Sequence, residues 1–154
     1  ESPTSCHSAG TKPMKDKVFV DSNIWLYAMA QSADALGDIR SAKAKAFLFG
    51  LPCPRVNSQV IREVCCNLKK KSRIEEAAIK TYVLAWYQNC EVVTSNVEQF
   101  LLASQLRQDG GFSYWDSLIV AAAIDTGCST LYSEDMQHGR VLLGQLTIVN
   151  PFKD

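Results

Sequence analysis

Short apolar runs alternate with amphipathic stretches along most of the chain. The runs predict strands at 18–20, around 55–57, and at 91–94, 129–132 and 146–149. Helices are predicted over about 24–30 and 37–49, from Ser58, up to about Asn89, before Gly110 and from Ser113 to Gly127. Because short strands alternate with helices, we expect a three-layer α/β/α fold with a central, mostly parallel sheet.

Polar residues mark several of the predicted helix ends. Ser72 with Glu75, and Ser95 with Glu98, have the spacing of capping boxes and predict two helix starts. Ser113 is a predicted N-cap in the same way. These boundaries give every predicted strand a helical neighbour, as parallel βαβ units require.

The length of 154 residues is that of one ordinary domain. Residues 1–15 are polar and lack an apolar signal core, so we expect a disordered leader or an expression extension, followed by one domain over 16–154. The apolar run at 118–124 is far shorter than the roughly 18–20 residues of a membrane span. We therefore expect a protein without a membrane helix.

The six cysteines do not have the spacing of a disulfide scaffold or a zinc site. Cys65 and Cys66 are adjacent within a helical pattern, and no CxxC pair occurs. The interpretation is that all six are reduced thiols, which is typical of a cytoplasmic protein.

The charges of the 16 basic and 16 acidic residues cancel, so a polyanion can be attracted only by a local cluster of basic residues. One basic cluster follows the predicted helix that starts at Ser58, and it consists of Lys69, Lys70, Lys71 and Arg73. It is a candidate rim for contacts with RNA phosphates. The alternative is a solvated helix end whose charges favour the helix dipole.

Four acidic residues lie close to the predicted edge of the sheet where strands end. Asp21 follows the first strand and Asp135 follows the fourth, whereas Glu63 and Asp116 lie in early turns of flanking helices. Ligands of open parallel sheets bind beyond the carboxyl ends of the strands, so all four side chains are candidates for one crevice. Each also has a purely structural explanation, as a cap, a loop residue or a solvated helix position.

Four segments together resemble the successive motifs of PIN domains, and of the bacterial VapC toxins in particular. They are VFVDSNI at 18–24, SQVIREV at 58–64, GFSYWDSLIVAAAI at 111–124 and LYSEDMQHG at 131–139. The resemblance covers 16–152 and includes the closing IVNPF. It implies a PIN-like fold with Asp21, Glu63, Asp116 and Asp135 as the catalytic, metal-binding acids. Asn23 and Ser133 would support them, and Glu134 would be an extra or substitute acid.

The resemblance also implies a function. PIN proteins of this type are ribonucleases that depend on Mg²⁺ or Mn²⁺, and VapC toxins are held by a cognate antitoxin protein. RNA is then the expected substrate, an antitoxin the expected partner and a homodimer the expected assembly. The alternative is a catalytically silent PIN fold that only binds RNA or a partner protein.

Overall fold

The computed structural model describes residues 16–30 and 35–153, so the predicted leader at 1–15 lies outside the described residues. Six strands form one central sheet. They are β1 (Val18–Val20), β2 (Arg55–Asn57), β3 (Glu91–Val93), β4 (Thr130–Tyr132), β5 (Val141–Leu142) and β6 (Leu146–Val149). Their order across the sheet is β3-β2-β1-β4-β6-β5, and only the β5–β6 pair is antiparallel.

Helices cover both faces of this sheet, which confirms the predicted three-layer α/β/α architecture. They are α1 (Ser22–Met29), α2 (Ala35–Phe49), α3 (Ser58–Asn67), α4 (Glu76–Asn89), α5 (Val97–Gly110) and α6 (Tyr114–Asp125). A π-helical turn, Leu68–Ser72, extends α3. Helix α1 packs against α2 and α3, whereas α5 packs against α6.

The chain changes direction across the sheet next to β1. After β1 it moves to β2 and then β3 on one side, and it returns through α5 and α6 to β4 on the other side of β1. The carboxyl ends of β1 and β4 therefore flank a topological switch point, where open α/β sheets bind their ligands.

The core lies around β1 and α6. Phe19, Val20 and Leu131 are fully buried in the sheet, and α6 buries the continuous run 119–123. This helix is apolar on nearly all sides because the sheet and α5 enclose it. Its rigid packing fixes the position of its N-terminal turn.

Two of the three predicted helix caps differ from the structure. Ser72 belongs to the π-helical turn, Arg73 breaks the helix with a φ of 50°, and α4 begins after Glu75 without a side-chain cap. The capping box predicted there is therefore wrong, because Ser72 is the last residue of the preceding helical turn and cannot also cap the next helix. Helix α5 is capped by Asn96 and not Ser95, since the Asn96 side chain accepts from the backbone of Gln99 over 2.9 Å.

The Ser113 cap is confirmed, since its hydroxyl accepts from the Asp116 backbone N–H over 3.2 Å. The edge strand β5 was missed by the sequence patterns. It has only two residues, and so short a strand has no alternation to detect.

The prediction that no cysteine forms a disulfide is wrong, because Cys53 is disulfide-bonded. Cys65, Cys66, Cys90 and Cys128 are free. The spacing of the cysteines along the chain did not predict this disulfide, because a disulfide requires only that two cysteine side chains meet in space. The cysteines therefore give no support to a reducing compartment. Within the described residues, no helix has the length and apolarity needed to span a bilayer.

Candidate active site

Asp21 is the most buried acid at the switch point. It caps α1, its Oδ1 accepts from the Ser22 backbone N–H over 2.7 Å, and its Oδ2 accepts from the Ser133 hydroxyl over 2.8 Å. The residue is 5% exposed. Burial raises the pKa of Asp21 from 3.8 to about 6, the charges of Asp116 and Glu63 add to the rise, and the hydrogen bonds oppose it.

Glu63 reaches the same edge of the sheet from α3. Its Oε2 accepts from the Ser22 hydroxyl over 2.8 Å, and its Oε1 accepts from Nε2 of Gln59 over 3.1 Å. Ser22 thus connects Asp21 to Glu63, although 41 positions separate Ser22 from Glu63. Both carboxylate oxygens of Glu63 have a neutral donor.

Asp116 lies in the first turn of α6. Partial burial raises the pKa of Asp116, and the charges of Asp135 and Glu63 raise it further, whereas a hydrogen bond from Ser113 lowers it. Asp135 is exposed in the segment after β4. The structure therefore brings Asp21, Glu63 and Asp116 within electrostatic reach of one another, and it places Asp135, which is exposed, within reach of Asp116.

The two predicted supporting residues differ in what they contact. Ser133 is fully buried and donates to Asp21. Asn23 accepts from the backbone N–H of Glu134 through its Oδ1 over 3.4 Å, and its Nδ2 is buried without a hydrogen-bond partner among the described residues. Asn23 thus fixes the backbone after β4, while Ser133 acts on the acid itself.

Glu134 contacts groups outside the cluster of four acids. Its Oε1 lies 3.6 Å from Nη1 of Arg40, and its charge raises the pKa of Tyr27, for which burial is the larger cause. Glu134 has no part in the shifts of Asp21 or Asp116. The structure therefore orients this carboxylate toward α1 and α2.

A cavity of about 860 Å³ adjoins the acids on the side of α3 and α6. Glu63, Gln59, Arg62 and Lys70 line it, together with the aromatic side chains of Phe100, Tyr114 and Trp115. Tyr114 and Trp115 are 52% and 61% exposed. Both side chains therefore lie outside the core and border the cavity.

Of the predicted basic rim, only Lys70 lines this cavity. Lys69 pairs with Glu76 over 3.0 Å and also donates to the Ile74 carbonyl over 3.4 Å. Lys71 and Arg73 are exposed. The basic cluster is thus divided between the cavity and the solvated end of α3.

The acidic cluster has no basic partner among residues 16–30 and 35–153. The ion pairs there join Arg40 to Glu134, Arg55 to Glu91 and Lys69 to Glu76. In the same part of the chain, no three His, Cys, Asp or Glu side chains converge closely enough to hold one metal ion. The cluster is a region of uncompensated negative charge rather than a finished ligand cage.

Ser22 and Gln59 are the site residues that sequence reasoning missed. Ser22 directly follows Asp21, and Gln59 precedes Glu63 by four positions, the spacing at which helical side chains meet. Both signals were present in the sequence. Neither shows which acid the side chain contacts, since that depends on how α1, α3 and α6 are arranged.

The model of the PIN domain matches residues 18–141. The chain therefore belongs to the PIN-domain family, and its acids occupy the crevice that the sheet topology favours for ligands. No curated protein sequence matches it.

Solved structures of toxin proteins are similar to the chain in fold. A toxin–antitoxin complex from Klebsiella pneumoniae is similar with a TM-score of 0.65 and 15% identity, over 90% of this chain and 100% of that one. The Mycobacterium tuberculosis toxin VapC20, which cleaves the sarcin-ricin loop, is similar with a TM-score of 0.60 and 18% identity, over 77% of this chain and 90% of that one. At these identities the similarity shows the shared fold.

Proposed function

We propose that the protein is a divalent-metal-dependent ribonuclease with Asp21, Glu63, Asp116 and Asp135 as its catalytic acids. The observation that carries the proposal is the buried Asp21 carboxyl, whose pKa of about 6 is raised partly by two neighbouring acids. Burying like charges together is unfavourable, and such perturbed groups cluster at functional sites. The position of these acids at the switch point of a PIN fold also supports a functional site there.

The donor chemistry of the cluster suits Mg²⁺ or Mn²⁺. All four acids offer carboxylate oxygens, and no cation pairs with them among the described residues. Magnesium keeps several waters and uses one or two direct carboxylates, so a tight cage of three ligands is not required. Asp21 and Asp116 would hold the ion, with Glu63 and Asp135 beside them. A bound ion would activate water and stabilise the leaving oxygen of a phosphodiester.

The other residues of the site would prepare the acids for this role. Ser22 and Ser133 fix both oxygens of Asp21, and Ser22 also holds Glu63, so the carboxylates keep their orientation before a cation arrives. A cation reverses the sign of the local field, which admits a polyanion to a pocket of acids. Lys70 and Arg62 beside the cavity would contact RNA phosphates.

RNA cleavage tests the nuclease directly. The unmutated protein should cleave labelled RNA in Mn²⁺ and not in chelator, and Asp116→Asn should reduce the rate at least about a hundredfold. Asp109→Asn is the matched control, because Asp109 is an exposed acid on α5 whose contact is Gln105. If the unmutated protein binds RNA and cleaves none in Mn²⁺ or Mg²⁺, it is a silent binding module.

The same proposal includes an antitoxin as partner. The similar Klebsiella pneumoniae structure is a toxin–antitoxin complex. Since the acids lack a basic partner among the described residues, a basic side chain of an antitoxin would neutralise them and exclude the metal. Co-expression with the product of a neighbouring gene should give a stable complex without ribonuclease activity. A complex that cleaves RNA as fast as the free protein would refute this form of inhibition.

A homodimer is the proposed assembly. Phe100 on α5 and the pair Tyr114 and Trp115 on α6 expose large apolar side chains along the same cavity, and Leu101, next to Phe100 in the sequence, is exposed as well. Light scattering should give twice the chain mass for the unmutated protein, and Trp115→Arg should shift it to monomer. Phe49→Arg is the control, since Phe49 is 95% exposed at the end of α2. If Trp115→Arg and Phe49→Arg have the same mass in solution, this surface is not the dimer interface.

A further inference from the structure

Gln59 makes two hydrogen bonds with one nitrogen. Its Nε2 donates to Oε1 of Glu63 over 3.1 Å and to the backbone carbonyl of Trp115 over 3.2 Å. Gln59 and Glu63 are one helical turn apart on α3, whereas Trp115 lies on α6 directly before Asp116. One side chain therefore joins the helix that bears Glu63 to the first turn of the helix that bears Asp116.

The chemistry of an amide suits this position. A side-chain NH₂ has two hydrogens, and here both point to acceptors, a carboxylate and a carbonyl. A hydroxyl has a single hydrogen and could not donate to both. Lysine or arginine could, but a positive charge beside Glu63 would compete with a cation. A neutral amide joins the two helices and leaves the charge of the cluster unchanged.

The connection acts on a pair of acids that repel each other. Both side chains are carboxylates, and Gln59 joins Glu63 to the helical turn that bears Asp116. Without restraint, the long Glu63 side chain would move away from Asp116. Ser22 holds its Oε2 on the side of Asp21, and Gln59 holds its Oε1 on the side of α6. These two contacts leave the carboxylate little freedom.

We propose that Gln59 is a positioning residue, whose amide fixes the Glu63 carboxylate against the first turn of α6 and so sets its separation from Asp116. This inference rests on the proposed metal site, because the fixed separation matters when a cation binds between the acids. Residues that orient metal-binding side chains typically change metal affinity by about 10–100-fold when replaced.

Mn²⁺ binding to Gln59→Met tests the inference without any substrate. Methionine has a similar length and helix propensity but no N–H donor. Calorimetric titration should give a dissociation constant for Mn²⁺ that is roughly tenfold higher, and Mn²⁺ should raise the melting temperature less. Circular dichroism of the metal-free variant should match the unmutated protein.

Gln105→Met is the matched control. Gln105 donates to Oδ2 of Asp109 over 2.6 Å, so it forms the same contact of glutamine with carboxylate four residues apart, on the exposed surface of α5. It should leave Mn²⁺ affinity unchanged. In a Glu63→Gln background, Gln59→Met should add almost nothing to the loss of affinity, because Gln59 acts through Glu63.

Three results would overturn the inference. If the unmutated protein binds Mn²⁺ and Gln59→Met binds it equally well, Gln59 does not position Glu63. If Gln59→Met weakens only RNA binding, Gln59 is a substrate contact. If the unmutated protein itself binds neither Mn²⁺ nor Mg²⁺, the proposed metal site is wrong and the inference is wrong with it. The titration distinguishes this result from the first one, in which both proteins bind Mn²⁺ equally well.

Discussion

Ser133 donates its hydroxyl hydrogen to Oδ2 of Asp21 over 2.8 Å, and 112 positions separate the two residues. The contact lies where β1 and β4 end side by side, and the backbone N–H of Asp21 also donates to the Tyr132 carbonyl over 2.9 Å. The hydrogen bond lowers the pKa of Asp21 against the larger effect of burial. Ser133 therefore stabilises the charged form of the most buried acid of the cluster.

Ser133→Ala should destabilise the protein more at high pH than at low pH. The lost hydrogen bond serves the ionised carboxylate, so we expect a loss of about 1–2 kcal/mol at pH 8 and less at pH 5, where Asp21 is mostly protonated. Urea unfolding in chelator at both pH values measures the difference. An equal loss at the two pH values would show that Ser133 contributes packing alone.

Asp21→Asn should stabilise the metal-free protein at neutral pH. The pKa of Asp21 in the fold, about 6, lies above its usual value of 3.8, so the folded state binds a proton that the unfolded state releases. This contribution to stability is fully present below about pH 4 and is lost as the pH rises through about 6. The loss amounts to roughly 2–3 kcal/mol.

The substitution removes that pH dependence because asparagine does not ionise. We expect Asp21→Asn to be more stable than the unmutated protein by roughly 1–2 kcal/mol at pH 8 and to bind no Mn²⁺. Denaturant unfolding in chelator from pH 4 to 8 measures both curves. Parallel curves for the two proteins would mean that Asp21 does not titrate in this range.

Asp116→Asn distinguishes a metal ligand from a helix cap. Burial and the charges of Asp135 and Glu63 raise the pKa of Asp116, so its ionised form is disfavoured on balance. In chelator the variant should be as stable as the unmutated protein or more stable by up to about 1 kcal/mol, since the group is partly screened by solvent. Mn²⁺ should raise its melting temperature less.

The opposite result would support the structural explanation of Asp116. A charged residue in the first turn of a helix contributes about 0.3–1 kcal/mol through the helix dipole. A lower melting temperature in chelator, with equal shifts by Mn²⁺ in both proteins, would therefore assign Asp116 to the cap of α6. The Ser113 contact to the Asp116 backbone remains in either case.

The free cysteines should differ in their reactivity. Cys66 is exposed, whereas Cys90 is buried and burial raises its pKa to about 12. Since the thiolate is the reactive form, a thiol reagent should modify Cys66 in the native protein and Cys90 only after unfolding. Mass spectrometry of peptides labelled before and after urea measures this. Native labelling of Cys90 would show that the junction between α4 and β3 opens readily.

The disulfide should lower the number of thiols that the same reagent titrates in the unfolded protein. Because Cys53 is disulfide-bonded, titration in denaturant without reductant should find fewer than six thiols, and reduction should restore six. A count of six before reduction would show that the bond does not form in solution.

The alternation of apolar runs and amphipathic stretches was enough to predict the layers of the fold. Each strand of the parallel set lies within about two residues of its predicted range. The central strand β1 is apolar because it is largely buried, whereas β2 contains Arg55 and Asn57 and β3 is partly exposed. The order of the motifs likewise indicated the PIN family, which the family match confirms. The functional role of the four acids stays a prediction.

Sequence alone did not determine the partners of these acids. Ser22 reaches Glu63 over 41 positions, Gln59 reaches Trp115 over 56, and Ser133 reaches Asp21 over 112. Glu134 is adjacent to two site residues and yet contacts Arg40, and Cys53 is disulfide-bonded despite its isolated position. The periodicity of apolar residues reflects which face of each segment is buried, and this is a local property of the sequence. Contacts between distant segments depend on the crossing of α1, α3 and α6 over the ends of β1 and β4, which only the packed tertiary structure decides.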